Sequence, residues 1–381
     1  MRRRRLLALA GTGLAGGLAG CTAGYQGDTE ATEDDNPATP TPGRGNGVDL
    51  PVSPAEIYTA IPEDRIAAIT DPAFANDWSG LDIPPDAELQ GLADETAVIG
   101  IERDGRARAY PLAILDWHEI VNDTFGGPLL VTYCPLCGSA VVAERTAGGK
   151  ATTFGVSGKL WRNNLVLYDE RTRSLWSQLL ATAIQGELTG ERLTLVPSTF
   201  TSWGTWRDTH PETGVLLPPP HSNTVRGRGA TEPYFDSKYN YEQEDQLVGY
   251  DSADGDLTRR TLVVGVTADG IARAYPFPVV REEEVVLDRV GDRPVVVTHT
   301  PDGGLVAYDR RVDGRTLTFA ADGPAHLKSG DTRWERATGQ GVSGRFGGRE
   351  LASASPVPAL FWSAWADFYP ETEVYGMDVE A

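Results

Sequence analysis

AVIGIERDGRARAYP at residues 97–111 and LVVGVTADGIARAYP at residues 262–276 are two copies of one pattern. The match continues outward. LLVTYCPLCGSAVV (129–142) falls on VVVTHTPDGGLVAY (295–308), and SWGTWRDTHPET (202–213) on FWSAWADFYPET (361–372). An offset of about 160 residues is far too long for a solenoid unit and marks a duplicated domain. Short runs rich in Val, Ile and Tyr, bounded by Gly or Asp turns, predict strands at 97–101, 107–110, 129–133, 140–144, 165–168, 175–178 and 193–197. The Asp104–Gly105 and Asp269–Gly270 pairs predict equivalent hairpin turns. A helix is predicted to open at Pro111 and carry ILDWHEIVND, bringing His118, Glu119 and Asn122 near one another. A second is predicted over 201–209, with Trp203 and Trp206 at helical spacing. The expected fold is mainly β (a β-rich α+β class): a duplicated, two-lobed domain with short helices.

The copies differ where chemistry would sit. Cys134 faces Thr300, Cys137 faces Gly303, His118 faces about Glu283 and His210 faces Tyr369. Tyr133-Cys134-Pro135-Leu136-Cys137-Gly138 has the form of a metal-binding knuckle: two intervening residues aim both sulfurs at one point, and the glycine relieves strain. Besides Cys21 the chain has only these two cysteines, so further ligands would be histidine or carboxylate. Cys134, Cys137, His118 and His210 make a two-cysteine, two-histidine set suited to zinc or copper. Methionine is nearly absent, which disfavours a copper site with an axial Met. A pocket beside the knuckle is expected from Tyr133, Lys159, Asn164 and Trp176; the second copy puts Pro324 where the first has Lys159. The competing reading of the cysteines is redox. A lone neighbouring pair in an oxidising compartment tends to form a disulfide, structural or exchange-active. The flanking strands argue for a knuckle over a thioredoxin-like helix start. No catalytic residue is assigned, and whether the protein is an enzyme stays open. A third reading is a non-catalytic surface protein that binds through the second lobe and the aromatic connector PYFDSKYNY (233–241).

The N-terminus reads as an address. MRRRRLLALAGTGLAGGLAGC joins a basic start to an apolar run too short and Gly-rich for a membrane span. Its arginines suggest twin-arginine export. Leu18-Ala19-Gly20-Cys21 is a lipobox that would make Cys21 the lipid-bearing first residue. The expected organisation is a signal peptide at 1–21, a disordered tether at 22–47, a first lobe at 48–217 holding the knuckle, a connector at 218–260 and a degenerate second lobe at 261–381. The expected location is the extracytoplasmic face of the cell membrane, reached through the lipid on Cys21; no protein partner can be named. With 34 basic and 54 acidic residues the chain carries −20, and loss of Arg2 to Arg5 takes it to −24. Such a chain is not expected to bind nucleic acid through phosphates, and its dispersed acids resemble the solvated surfaces of halophilic proteins.

HEIVND (118–123), TYCPLCGSA (132–140), FGVSGKLWRNNLVLYD (154–169) and SLWSQ (174–178), with IPEDRIAAITDPAF (61–74) before them, resemble a family of exported bacterial and archaeal proteins catalogued as domain of unknown function 3179. The resemblance runs from about Val48 to about Tyr375. It implies an extracytoplasmic protein and brings no activity, substrate or metal. The first copy keeps the pattern and the second departs from it.

Overall fold

The two ARAYP stretches each end a β-hairpin. Strand Ala97–Arg103 pairs with Arg106–Pro111, and Leu262–Ala268 with Ile271–Pro276, both antiparallel and closing on Arg103↔Arg106 and Ala268↔Ile271. The two-residue turns need positive φ twice, and Asp-Gly supplies it: 53° and 68° at Asp104 and Gly105, 53° and 81° at Asp269 and Gly270. Each proline then starts a seven-residue helix, α1 (Leu112–His118) or α3 (Phe277–Glu283). Both helices stop on a glutamate with positive φ, Glu119 at 55° and Glu284 at 61°.

A computed structural model describes residues 44–45, 48–83, 91–227, 257–301, 303–355 and 357–377. The leader, nearly all of the tether and the connector motif PYFDSKYNY lie outside the described residues. Residues 42–381 group as one compact unit. The architecture is mainly β, with 44% strand and 11% helix, arranged as a six-blade, propeller-like ring of small sheets. No helix among the described residues is long and apolar enough to cross a membrane.

Three five-stranded sheets are built on the first copy, one of them taking Asn223–Thr224 from the expected connector as its edge strand. One holds the hairpin. The next runs from Ser139–Glu144 through Pro128–Cys134 and Ile120–Thr124 to Ile69–Asp71 and Asn223–Thr224. The third carries Phe154–Trp161 and Asn164–Asp169 at its centre. The second copy builds smaller sheets of four, three and three strands in the same sequence. Each copy closes on itself. After its third sheet a short strand returns to the hairpin, followed by a Trp-bearing helix, α2 (Trp203–Thr209) or α4 (Trp362–Phe368), and a strand parallel to the ARAYP strand.

The same contacts recur in both copies. Asp123 accepts from Arg108 and from Tyr110 at 2.5 and 2.6 Å; Asp288 accepts from Arg273 and Tyr275 at 2.6 and 2.8 Å. The indole N–H of Trp206 donates to Thr213 and that of Trp365 to Thr372, each at 2.9 Å. Gly100 and Gly265 lie flat against those indoles, where a Cβ would enter the ring.

Two expectations are corrected. The helix entered at Pro111 ends at His118, and residues 120–124 form a strand, because the left-handed Glu119 ends the helix and β-branched Ile120 and Val121 pair with Thr132 and Val131. Asn122 therefore sits on a strand, not on a helix with His118. Residues 193–197 form no strand; Leu195 makes a single bridge to Ala143.

Candidate functional site at the cysteine turn

The cysteine turn joins Pro128–Cys134 to Ser139–Glu144, with Cys134 opposite Ser139. Cys137 N donates to Cys134 O at 3.1 Å, and Gly138 takes the left-handed conformation that lets the chain return (φ 59°). The counterpart turn in the second copy keeps this geometry with Thr300 and Gly303, where Gly303 N donates to Thr300 O at 3.1 Å. The scaffold is thus common, and the sulfurs belong to one copy.

Cys134 and Cys137 are joined as a disulfide, 1% and 0% exposed. The Cys137 sulfur has polar company on two sides. Asn164 Nδ2 donates toward it at 3.2 Å, and Asn163 O lies 3.2 Å away. Asn164 is itself fixed: Nδ2 also donates to Gln178 Oε1 at 2.9 Å, and its Oδ1 accepts from Leu179 N at 3.0 Å. Gln178 is bound in turn by Ser139 Oγ at 3.1 Å and donates to Thr132 Oγ1 at 3.1 Å. Thr132, Ser139, Asn164 and Gln178 are all buried. A satisfied polar network inside an apolar cluster is rigid, since breaking any link strands a desolvated group.

The turn of the Phe154–Trp161/Asn164–Asp169 hairpin brings these groups in. Arg162 and Asn163 have φ of 51° and 53°, the two-residue turn that matches strand twist. Asn tolerates this conformation and Arg does so reluctantly. The Arg162 guanidinium lies over the rings of Trp161 and Phe368, 4.9 and 5.6 Å from their centroids, and donates to Phe368 O.

His118 and His210 each have partners of their own. His118 is wholly buried, and its Nδ1 lies 2.6 Å from Ala67 O, so that nitrogen carries the proton. Burial holds its pKa down at about 4, so the ring is neutral near pH 7. His210 is not brought to the cysteines. Its ring stacks on Trp206 with centroids 3.9 Å apart and its Nε2 faces Glu102 at 3.3 Å, as Tyr369 stacks on Trp365 at 4.1 Å. His210 therefore fills an aromatic scaffold position common to both copies. Among the described residues no three His, Cys, Asp or Glu side chains are gathered to hold a metal ion.

Of the expected pocket residues, Asn164 reaches Cys137. Trp176 packs in the same apolar cluster, edge-on to Phe154, with its N–H on Asp169. Tyr133 packs in the cluster on the other face of its strand, where burial pushes its phenol well above the usual range. Lys159 turns away to Thr59 Oγ1 at 3.1 Å. A small pocket of about 90 Å³ at the Arg162–Asn163 turn is lined by Glu56, Tyr58, Leu160, Arg162 and Asn163, and by none of the four expected residues.

Sequence reasoning missed Gln178, Ser139 and Thr132. SLWSQ and WRNN were visible as motifs, but nothing in their spacing says that Gln178 meets Asn164 beside the Cys137 sulfur. No curated protein and no solved structure matches the chain. Residues 63–372 match the family described as protein of unknown function (DUF3179), and the chain belongs to that family.

Proposed function

We propose that this is an exported, lipid-anchored protein whose Cys134–Cys137 pair works as a redox-active dithiol–disulfide couple. One observation carries the reading: the Cys137 sulfur sits between an N–H donor and a carbonyl acceptor, each at 3.2 Å. A bridge that only staples the chain needs neither partner. A reduced cysteine uses both, because a thiol donates to the Asn163 carbonyl and a thiolate accepts from the Asn164 amide. Reduction adds two electrons and two protons, breaks the S–S bond and leaves two thiols; a reagent dithiol supplies the electrons and closes to its own disulfide.

The test is equilibrium titration of the full chain with reduced and oxidised dithiothreitol, with thiol counting on folded protein. The expected result is one reversible two-electron transition without loss of the folded state. Asn164→Ala removes the donor and is expected to shift the couple about tenfold toward the disulfide, ~30 mV more negative. A pair that is reduced only when the protein unfolds overturns the reading.

A second reading, zinc or copper held by the reduced pair with His118, is favoured by the neutral imidazole whose tautomer the Ala67 carbonyl fixes, as backbone carbonyls fix metal-ligating histidines. Stoichiometric metal in the reduced protein, lost in both Cys→Ser variants, selects it. Anchoring rests on the lipobox alone. Cys21→Ser is expected to release the protein from membranes, checked by fractionation and by the mass of the N-terminal peptide. An unmodified Cys21 in the natural protein defeats that part.

A further inference from the structure

The second copy lacks the cysteines, yet it covers them. Phe361 N donates to Cys137 O at 2.7 Å, and the Phe361 ring lies on Gly138, where a Cβ would clash with it. From α4, Asp367 Oδ2 accepts from Asn163 Nδ2 at 2.7 Å, and the backbone of Phe368 accepts from Arg162. Trp161 and Phe368 meet edge to face at 5.2 Å. Both residues of the strained turn are therefore held by the second copy, and one of them sets its carbonyl against the Cys137 sulfur.

The duplication supplies a control. Asp367 and Asp208 occupy the same place on the two Trp-bearing helices. Asp208 is 80% exposed and lies 4.0 Å from Arg207, whereas Asp367 is bonded across the junction. Burial pushes the Asp367 carboxyl above its ordinary pKa against the pull of Asn163 and Arg162. A carboxylate partly desolvated in one copy and solvated in the other marks a position put to a new use.

We infer that Asp367 is a positioning residue for the cysteine couple: the second lobe, through Asp367 and Asn163, holds the carbonyl that receives the Cys137 thiol and so favours the reduced state. The inference rests on the redox reading of the pair.

The experiment is the same dithiothreitol equilibrium on full-length variants. Asp367→Ala is expected to shift the couple about tenfold toward the disulfide, the weight of one hydrogen bond in a buried setting. Asp367→Asn keeps an acceptor for Asn163 and should restore the equilibrium to within about twofold of the natural protein. Asn163→Gly cuts the same link from the other side, at a positive φ that glycine adopts freely, and should match Asp367→Ala even if the latter folds poorly. Asp208→Ala should leave the equilibrium unchanged. If the natural pair is reversibly reduced but Asn163→Gly and Asp367→Ala leave its equilibrium in place, or Asp208→Ala shifts it equally, this inference falls and the redox reading stands. A natural pair that cannot be reduced in the folded state overturns both.

Discussion

Asn122→Ala is expected to destabilise the protein by about 3–5 kcal/mol, among the largest single effects available here. Asn122 is 3% exposed, and its amide is used on both sides. Nδ2 donates to Ile69 O at 3.1 Å and to Phe154 O at 2.9 Å, while Oδ1 accepts from Phe154 N at 2.7 Å. One side chain thus ties its own sheet to the neighbouring one that carries the Arg162–Asn163 turn. Alanine leaves backbone groups of Ile69 and Phe154, both 0% exposed, without this partner, each costing about 1–3 kcal/mol. The counterpart position in the second copy is Leu287, 38% exposed. Leu287→Ala should cost less than about 1 kcal/mol. Urea unfolding followed by tryptophan fluorescence measures both, and equal losses would defeat the assignment of Asn122 as a staple between sheets.

The contrast between Asn122 and Leu287 shows what the sequence could and could not convey. The duplicated framework was legible because it depends on local, repeated demands: Asp-Gly at a tight turn, Pro at a helix start, Trp and Thr seven residues apart. Each shows itself within a short window. The cysteine turn was legible for the same reason. The helical reading of HEIVND failed because Glu119 ends the helix from a left-handed conformation that glutamate seldom adopts, so no stop signal was visible. The alignment of His210 with Tyr369 also carried a structural meaning, a flat ring stacked on a tryptophan in both copies.

The junction was out of reach for a different reason. Asn163 and Asp367 stand 204 residues apart, and Cys137 and Asn164 meet only after two hairpins from different sheets pack together. Such convergence depends on sheet order, and strands of two to eight residues do not reveal the order in which they assemble. The ring of six small sheets was hidden for that reason, while its β-rich character was not.

Acidification from about pH 6.5 to pH 4 is expected to cost about 3 kcal/mol of stability through His118 alone. The unfolded histidine titrates near 6.5, whereas in the fold its pKa is lowered to about 4. Desolvation is the main cause, the Ala67 carbonyl opposes it, and the positive charge of Arg226 adds to it. Between these two values the unfolded chain binds a proton that the folded chain refuses, so stability rises with pH across that window. Above pH 6.5 both states are neutral and the contribution is level; below pH 4 both are protonated and the loss is complete. Carboxylates titrate over part of the same range, so the informative quantity is a difference between two proteins. His118→Gln can keep a donor for Ala67 O and cannot be protonated. It should lose stability at pH 7.5 through imperfect packing, then lose less than the natural protein on descent to pH 4.5. Urea midpoints at pH 7.5, 6.0 and 4.5 for both proteins give the comparison, with converging curves expected. Parallel curves would mean that the imidazole takes up its proton inside the fold.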